Sequence, residues 1–353
     1  MTKILIFFWG VKVLGRTYNI AIIGAGDMGG NHVKGWQEAG HRVHSITDVD
    51  ADRIAQITDK VKIPHVFQDY KEAVSDPEVD IVSVCLPLAF HAPVTIHAAN
   101  QGKHVFCEKP LASSLTDAKF MEEAVHRNGV KFGLGFQRNY SHGIDRVREW
   151  VEQGKFGTPL VFSSDLLQEV RPKRAMHDKN GNQGPVVDTS CHYFFMWETI
   201  FQSKPISVYA RGGILAKDRP EIAHFKELAV DTAVITVEYE SGDVGTMTIS
   251  WGLAKEFQMR PRADRIFGSA GGAEGYFNSW GKDAGDHIDL YTGHDKEVVP
   301  LDQRSLFKLQ FDDFIHAIEH DVPMRTGFKQ GKEMLRLSHA VLESIETGKV
   351  IML

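Results

Sequence analysis

The sequence predicts an α/β protein of two domains: an N-terminal doubly wound parallel sheet, then a C-terminal α+β unit around an open, mainly antiparallel sheet. Three observations carry this. The chain has 353 residues, more than one core usually fills. From Tyr18 to about Phe136, short continuous apolar runs alternate with amphipathic stretches, as in parallel strands buried on both faces between helices. After about residue 140 the runs lengthen and alternate apolar with polar, the pattern of strands with one open face. The expected domains are 18–138 and 139–353.

Taken in order, the first fifteen residues, MTKILIFFWGVKVLG, look superficially like the start of a signal peptide but show no small-x-small cleavage site. Residues 1–17 are expected to be an extension outside the fold. Strands are then predicted over 19–23, 43–47, 65–67, 81–86, 104–107 and 131–135, with helices over 29–39, 51–58, 70–74, 92–100 and 115–128. In the second half a helix over 142–153 ends at Gly154, and strands are predicted over 160–166, 207–211, 233–239, 245–250 and 287–291. The stretch EYESGDVGTM sets a Ser-Gly-Asp turn between two alternating runs, a hairpin signal. One helix is inserted early, over 186–201, and two helices over 306–319 and 329–347 close the chain and pack back on the first domain.

The composition excludes several classes of function. The net charge is −6 with Lys and Arg scattered, so there is no basic stripe for nucleic acid. No run approaches the ~20 apolar residues of a membrane span. Cys85, Cys107 and Cys191 are odd in number and far apart, which argues against a disulfide framework or a zinc knuckle and for a reducing compartment, the cytoplasm.

The chemistry begins at IAIIGAGDMGG. Gly24, Gly26 and Gly29 form G-x-G-x-x-G at a strand-to-helix turn, with Asp27 and Met28 inside it. The first glycine permits the tight turn, the second lets backbone approach a pyrophosphate, and the third lets helix and strand pack closely. The helix N-terminus adds N–H donors for the anion. Asp48 ends the second strand, 19 residues beyond Gly29, where a carboxylate accepts from adenosine ribose hydroxyls. It would also repel a 2′-phosphate, so NAD is favoured over NADP, with Arg53 close enough to keep NADP in play. Ligands of a doubly wound sheet lie beyond the carboxyl ends of its strands. That puts Leu86, Pro87 and His91 beside the cofactor, and Glu108 and Lys109 at the crevice mouth. There a lysine can hydrogen-bond a reacting oxygen, and burial would ease its proton transfer.

Further on, GPVVDTSCHYFFMWETI holds Asp188 and His192 four apart, neighbours on one face if the segment is one helix. The pair suits proton transfer from a hydroxyl, the imidazole accepting and the carboxylate orienting it or touching substrate. It also suits a metal, with His177 and Asp178 nearby, but no third and fourth ligand stand at matching spacing, and no metal is expected. Gln137, Arg138, Asn139 and Tyr140, just past the sixth strand, lie where substrate hydroxyls would be read.

These residues resemble the glucose-fructose oxidoreductase / inositol dehydrogenase / rhizopine-catabolism (Gfo/Idh/MocA) family from about Tyr18 to the C-terminus. The likeness rests on Gly24-Ala25-Gly26-Asp27-Met28-Gly29, on Asp80…Pro87…His91, on Glu108-Lys109-Pro110 and on REWVEQGKFGTP. It rests also on Gly184-Pro185-x-x-Asp188-x-x-x-His192 and the closing ESIETGKVIML. The resemblance implies a Rossmann domain plus a C-terminal α/β domain whose open sheet serves oligomer contacts, hence a homo-oligomer, dimer or tetramer. It implies NAD(P)-dependent oxidation or reduction of a secondary alcohol of a sugar or cyclitol. Lys109 then resembles the catalytic lysine, and Asp188 and His192 the proton-relay and substrate pair. One departure stands out: family members often carry a run of glycines before this aspartate, and here the loop reads NGNQGPVVD. The expected activity is a dehydrogenase of a sugar, polyol or cyclitol. Two rivals share most of these residues: a glycosidase or lyase that uses NAD transiently, and a non-catalytic NAD(H) sensor.

Overall fold

A computed structural model of the chain describes residues 16–170, 174–255, 264–278 and 285–353. The expected extension therefore lies outside the described residues up to position 15. Arg16 reaches the Asp80 carboxylate and covers the Tyr18 ring, so the chain joins the fold from that point.

The first domain alternates as expected: β1 (Asn19–Ile23), α1 (Asp27–Glu38), β2 (Arg42–Thr47), α2 (Ala51–Thr58), β3 (His65–Phe67), α3 (Tyr70–Ser75), β4 (Ile81–Val84), α4 (His91–Asn100), β5 (His104–Glu108), α5 (Leu115–Arg127) and β6 (Phe132–Gly135). The sheet runs β3-β2-β1-β4-β5-β6 with every pair parallel. Its central strands are mostly apolar because helices cover both faces: Ile20, Ala21, Ile22, Ile81, Val82 and Val84 are all buried. Helix starts are set by side chains that take the first unpaired amides. Asp50 caps α2, and the Ser114 hydroxyl caps α5 by accepting from the Asp117 amide at 3.0 Å. Strand order reverses between β1 and β4, and the gap beyond their carboxyl ends is the crevice of a doubly wound sheet.

The second domain comprises α6 (His142–Glu152), β7 (Val161–Glu169), α7 (Arg174–His177), α8 (Gly184–Asp188), α9 (Ser190–Phe201), β8 (Pro205–Gly213), β9 (Thr232–Tyr239), β10 (Val244–Leu253), β11 (Asp264–Phe267), β12 (Gly271–Gly275), β13 (His287–Thr292), β14 (Asp295–Pro300), α10 (Leu306–Glu319), α11 (Phe328–Thr347) and β15 (Ile351–Met352). Among the described residues its nine strands run β14-β13-β12-β11-β7-β10-β9-β8-β15. They pair antiparallel except at the centre, where β7 and β10 are parallel. The chain leaves β7, crosses through α7 to α9, and re-enters the sheet at its far side, so β10 arrives beside β7 in the same direction. Helix α9 packs on the inner face of this sheet with Phe194, Trp197, Ile200 and Phe201 buried.

The closing helices pack against α1 and α5. The Phe311 ring of α10 stacks on Trp36 of α1, centroids 3.9 Å apart and planes within 8°. A Cβ at Gly35 would stand 2.6 Å from Phe307 Cβ, so the two helices approach at a position only glycine allows. Lys332 of α11 pairs with Glu122 of α5 at 2.7 Å. These contacts hold the two sides of the crevice together.

Candidate active site

On the cofactor side each glycine has a visible reason. Gly24 takes φ +105°, and a Cβ there would stand 2.4 Å from the Cys85 carbonyl oxygen. At Gly29 a Cβ would lie 2.0 Å from the Gly24 carbonyl, the close helix-to-turn packing the spacing predicts. At Gly26 it would meet nothing within 4 Å. Gly26 is thus the N-cap of α1 beside open space, with no side-chain cap hydrogen bond of its own, a helix start where an anion fits. Asp48 supports the turn: its Oδ2 accepts from the Ala25 amide at 2.8 Å and its Oδ1 from the Asp50 amide at 3.0 Å. Each carboxylate oxygen keeps a second lone pair for a ribose diol. Arg53, the residue that keeps NADP in play, pairs with Asp50 at 3.3 Å.

The chain leaving β4 turns at once through Cys85, Leu86 and Pro87. A Cβ at Gly24 would touch Leu86 at 3.2 Å, so this side chain borders the glycine turn. His91 is buried with both ring nitrogens on carbonyls, Nδ1 at 2.7 Å from Pro110 and Nε2 at 2.8 Å from Leu86. It ties the loop after β4 to the loop after β5. Glu108 behaves the same way. Its Oε1 meets His32 Nε2 at 2.8 Å, and its Oε2 accepts from the Lys109 amide at 3.2 Å. His32 Nδ1 in turn lies 2.8 Å from the Ser83 hydroxyl, which accepts from Trp36 Nε1 at 3.0 Å. A proton on His32 Nε2 toward Glu108, with the Ser83 hydroxyl donating to Nδ1, satisfies every member of this buried chain. Expected beside the cofactor, Glu108 is instead the strut that fixes the end of β5 and so aims Lys109.

Lys109 reaches across to the second domain. Its Nζ donates to the Asp188 carbonyl oxygen at 2.9 Å and lies 3.4 Å from Asp188 Oδ1. The backbone explains why that carbonyl is available. The single helix expected over 186–201 is two, α8 ending at Asp188 and α9 starting at Ser190, with Thr189 between them at φ −117°. The His192 amide, which an unbroken helix would bond to Asp188, bonds to Thr189 instead at 3.1 Å. The freed carbonyl takes Lys109 Nζ and, at 3.5 Å, Cys191 Sγ. Asp188 and His192 are therefore not on one helical face, as their spacing suggests, but either side of a break.

Both oxygens of the Asp188 carboxylate are held: Oδ1 accepts from Asn182 Nδ2 at 2.9 Å and Oδ2 from the Thr189 hydroxyl at 3.2 Å. Asn182 also accepts from the Leu88 amide at 3.2 Å, so one amide side chain links the loop after β4 to the aspartate. Here the loop NGNQGPVVD earns its departure from glycine. Its backbone reverses through two left-handed residues, Gln183 at φ 64° and Gly184 at φ 77°, and a Cβ at Gly184 would be 2.4 Å from the Val230 carbonyl. Asn182, Thr189 and Cys191 were not singled out by sequence reasoning, since nothing in one sequence tells a bridging asparagine from a loop asparagine.

Burial pulls the Lys109 ammonium toward neutrality, but the negative charge of Asp188 leads a set that outweighs it, and the net direction is upward. Lys109 stays charged. This corrects the expectation that burial eases its proton release: it is a donor of hydrogen bonds, not a base. Burial pushes the Cys191 thiol up to about 12, with Lys109 opposing, so it too stays protonated.

Of the residues past β6, Arg138 is buried and its charge reaches both Lys109 and Cys191. Gln137 is buried in the same turn, and the neighbouring Phe136 ring meets the His192 ring edge-on at 5.6 Å. Asn139 donates to the Thr199 hydroxyl of α9 at 2.9 Å. Tyr140 corrects a prediction. Its hydroxyl donates to Asp313 of α10 at 2.6 Å and Arg325 covers its ring, so it faces the seam with the closing helices and not a substrate. His177 and Asp178 hold the loop: Asp178 bridges Leu228 and accepts from the Asn180 amide at 2.8 Å.

Comparison with known proteins identifies the frame. Residues 18–136 match the oxidoreductase family model with an NAD-binding Rossmann fold, and residues 148–353 match that family's C-terminal alpha/beta domain. The chain belongs to the Gfo/Idh/MocA oxidoreductase family. Within it, the chain is 32% identical over 253 residues to the uncharacterized oxidoreductase YrbE of Bacillus subtilis (strain 168), covering 71% of this chain and 72% of that one. It is 27% identical over 339 residues to the myo-inositol 2-dehydrogenase of Thermotoga maritima, covering 95% and 98%. The crystal structure of aldose-aldose oxidoreductase from Caulobacter crescentus, complexed with glycerol, superposes with a TM-score of 0.84 at 21% identity over 96% of this chain and all of that one. As a Gfo/Idh/MocA protein the chain is an oxidoreductase with an NAD-binding domain, and its glycine turn, open at Gly26, fits that group.

Proposed function

We propose that this protein is an NAD-dependent dehydrogenase that oxidises a secondary hydroxyl of a sugar, polyol or cyclitol. The observation that carries the reading is the contact of Lys109 from the first domain with Asp188 from the second, at the carboxyl-end crevice. A bound NAD would supply the acceptor for the hydride of the substrate carbon. The protein's part is to hold the hydroxyl and take its proton. Lys109, kept charged, donates to the substrate oxygen and favours the developing alkoxide. His192 accepts the hydroxyl proton as general base. Asp188, pinned by Asn182 and Thr189, holds Lys109 in place, and Arg138 and Gln137 read neighbouring hydroxyls. Gly24, Gly26, Gly29 and the start of α1 hold the diphosphate, and Asp48 takes the adenosine ribose, which favours NAD over NADP. The named activities of the myo-inositol 2-dehydrogenase and aldose-aldose oxidoreductase relatives support this substrate class.

A homo-oligomer, dimer or tetramer, fits the second sheet, whose outer face is continuous. Arg211, Val234, Thr248 and Asp165 stand side by side across β8, β9, β10 and β7, with Val234 exposed. The three cysteines are unpaired thiols, which fits the cytoplasm. Among the described residues no helix is long and apolar enough to cross a membrane. The test is an NADH-absorbance screen of cyclitols, hexoses and sugar acids, with NAD and NADP in parallel. Stoichiometric NADH from a free polyol is the expected result. Glycoside cleavage without net NADH, or no turnover on any polyol, would replace this reading with one of its rivals.

A further inference from the structure

A second cluster of chemically capable side chains lies at the opposite end of the first sheet. His44 is in β2, His65 opens the edge strand β3, and Glu78 sits in the turn before β4. Strand pairing sets His65 directly beside Ser45, and the two imidazole rings stand 4.5 Å apart between centroids. Asp76 organises the turn: its Oδ1 accepts from the Glu78 amide at 2.9 Å, and its Oδ2 accepts from His44 Nε2 at 2.9 Å.

That last bond puts a proton on His44 Nε2, because a carboxylate can only accept, and in the neutral ring the lone pair is then on Nδ1. His44 is fully buried, and its Nδ1 makes no hydrogen bond, facing Glu78 Oε2 at 3.8 Å. A buried lone pair with no donor is unusual and calls for an explanation. His44, His65 and Glu78 each offer one ligand atom within 4.8 Å of the others. Around zinc, with bonds of about 2.0–2.2 Å, neighbouring ligand atoms of a tetrahedron sit about 3.4 Å apart. His65 and Glu78 are exposed, so the closure such a site asks for falls on two surface side chains. Lys103, the nearby cation, is held away on the Asp76 and Val79 carbonyls at 2.8 Å each.

We propose that His44 Nδ1, His65 and Glu78 form a site for a divalent transition ion, zinc first, with Asp76 orienting His44 and water completing the tetrahedron. Two imidazoles and one carboxylate suit zinc and its neighbours, whereas magnesium and calcium take oxygen ligands. A histidine ligand whose other ring nitrogen donates to a carboxylate is the usual outer arrangement of such sites. The ion would clamp β3, a strand of three residues at the sheet edge, to β2 and to the turn before β4.

The test is isothermal titration of chelator-treated full-length protein with zinc chloride, with magnesium chloride as control, alongside thermal melts and cobalt absorption spectra. Expected are one equivalent of zinc, a raised Tm, a tetrahedral cobalt band and no magnesium binding. His65→Ala and Glu78→Gln should each weaken zinc binding by about tenfold or more while leaving NAD binding unchanged. Two competitors are separable. The His316 and His320 rings at the end of α10, centroids 4.1 Å apart, are tested by His320→Ala, and the crevice is tested by saturating NAD. An isotherm unchanged by His65→Ala, lost in His320→Ala, displaced by NAD, or showing no zinc binding at all overturns the proposal.

Discussion

The two sides of the crevice are made of different material. On the cofactor side the working surface is backbone: a turn shaped by what glycine lacks, with Gly24 and Gly29 packed against carbonyl oxygens and Gly26 left open. On the substrate side it is side chain, and each group is held by another. Glu108 braces Lys109, Asn182 and Thr189 pin Asp188, and the break at Thr189 supplies the carbonyl on which Lys109 rests. A backbone site is robust to most substitutions but intolerant at a few glycines. A side-chain site fails wherever one partner is removed, because the others are left buried and unmatched. The contrast predicts which changes damage chemistry and which damage binding or folding.

The largest effect is expected at the amine. Lys109→Met removes the donor to the substrate oxygen, and His192→Ala removes the base. Each should lower kcat by about 10²–10⁴-fold, the range for a lost general acid–base group, with Kd for NAD within about threefold of the parent. Steady-state kinetics beside NAD titration separates the two readouts. An NAD affinity that collapses with kcat would erase the distinction between the two sides.

On the cofactor side, two glycines one turn apart should behave oppositely. Gly29→Ala forces a Cβ to 2.0 Å from the Gly24 carbonyl and should cost about 2–4 kcal/mol of stability, read by chemical denaturation. Gly26→Ala meets no protein atom within 4 Å, so its stability should change by less than about 1 kcal/mol while NAD affinity falls about tenfold. Equal losses of stability in the two variants would show that Gly26 serves the fold and not the diphosphate.

The substrate side should also be sensitive to protonation, through the helix that carries His192. Glu198, two turns further along α9, is pushed up from 4.5 to about 7, first by burial and then by the charge of Glu333 on α11. A carboxyl raised in the fold binds its proton more tightly there than in the unfolded chain. Its contribution to stability is therefore complete below about pH 4.5 and is lost as pH rises to about 7. Glu198→Gln keeps the neutral form and should be more stable than the parent by about 1–2 kcal/mol at pH 8, with the gap closing toward pH 5. Melting curves across that range decide it, and a gap independent of pH would remove the linkage.

The same contrast explains what one sequence reveals. The glycine turn was legible because its cause is local: three glycines at fixed spacing after an apolar strand. The six parallel strands followed from the alternation of apolar runs with amphipathic stretches, as in a doubly wound sheet. Lys109, Asp188 and His192 were legible as residue types in a recognisable pattern, but their arrangement was not. Four-residue spacing reads the same through a continuous helix as through a break, and only tertiary packing chose the break at Thr189. Tyr140 looked like a reader of substrate because its partner, Asp313, lies 173 residues away. The parallel pairing of β7 with β10 and the short strands β11, β12 and β14 depend likewise on contacts that no local period records.

Asn182 gives the smallest and most discriminating prediction, because it belongs to both sides. Its amide nitrogen holds the Asp188 carboxylate, while its carbonyl oxygen accepts from the Leu88 amide in the loop beside the cofactor. Removing it in Asn182→Ala costs two hydrogen bonds in a partly exposed loop, which water largely replaces, so global stability should fall by about 1 kcal/mol or less. The chemistry loses more than the fold does. Without Asn182 the Asp188 carboxylate keeps the Thr189 hydroxyl and turns more fully to Lys109, drawing the amine from the substrate oxygen. A drop in kcat of about 3–10-fold should follow, with KM for the substrate nearly constant, since a misaimed donor weakens the transition state more than the ground state. Asn182→Asp sharpens the reading: it keeps the acceptor for Leu88 but sets a second negative charge against Asp188. If only the link to Leu88 matters, the aspartate variant recovers activity. If the grip on Asp188 matters, it falls below the alanine variant, and the substrate side is shown to be a chain of side chains in which each link aims the next.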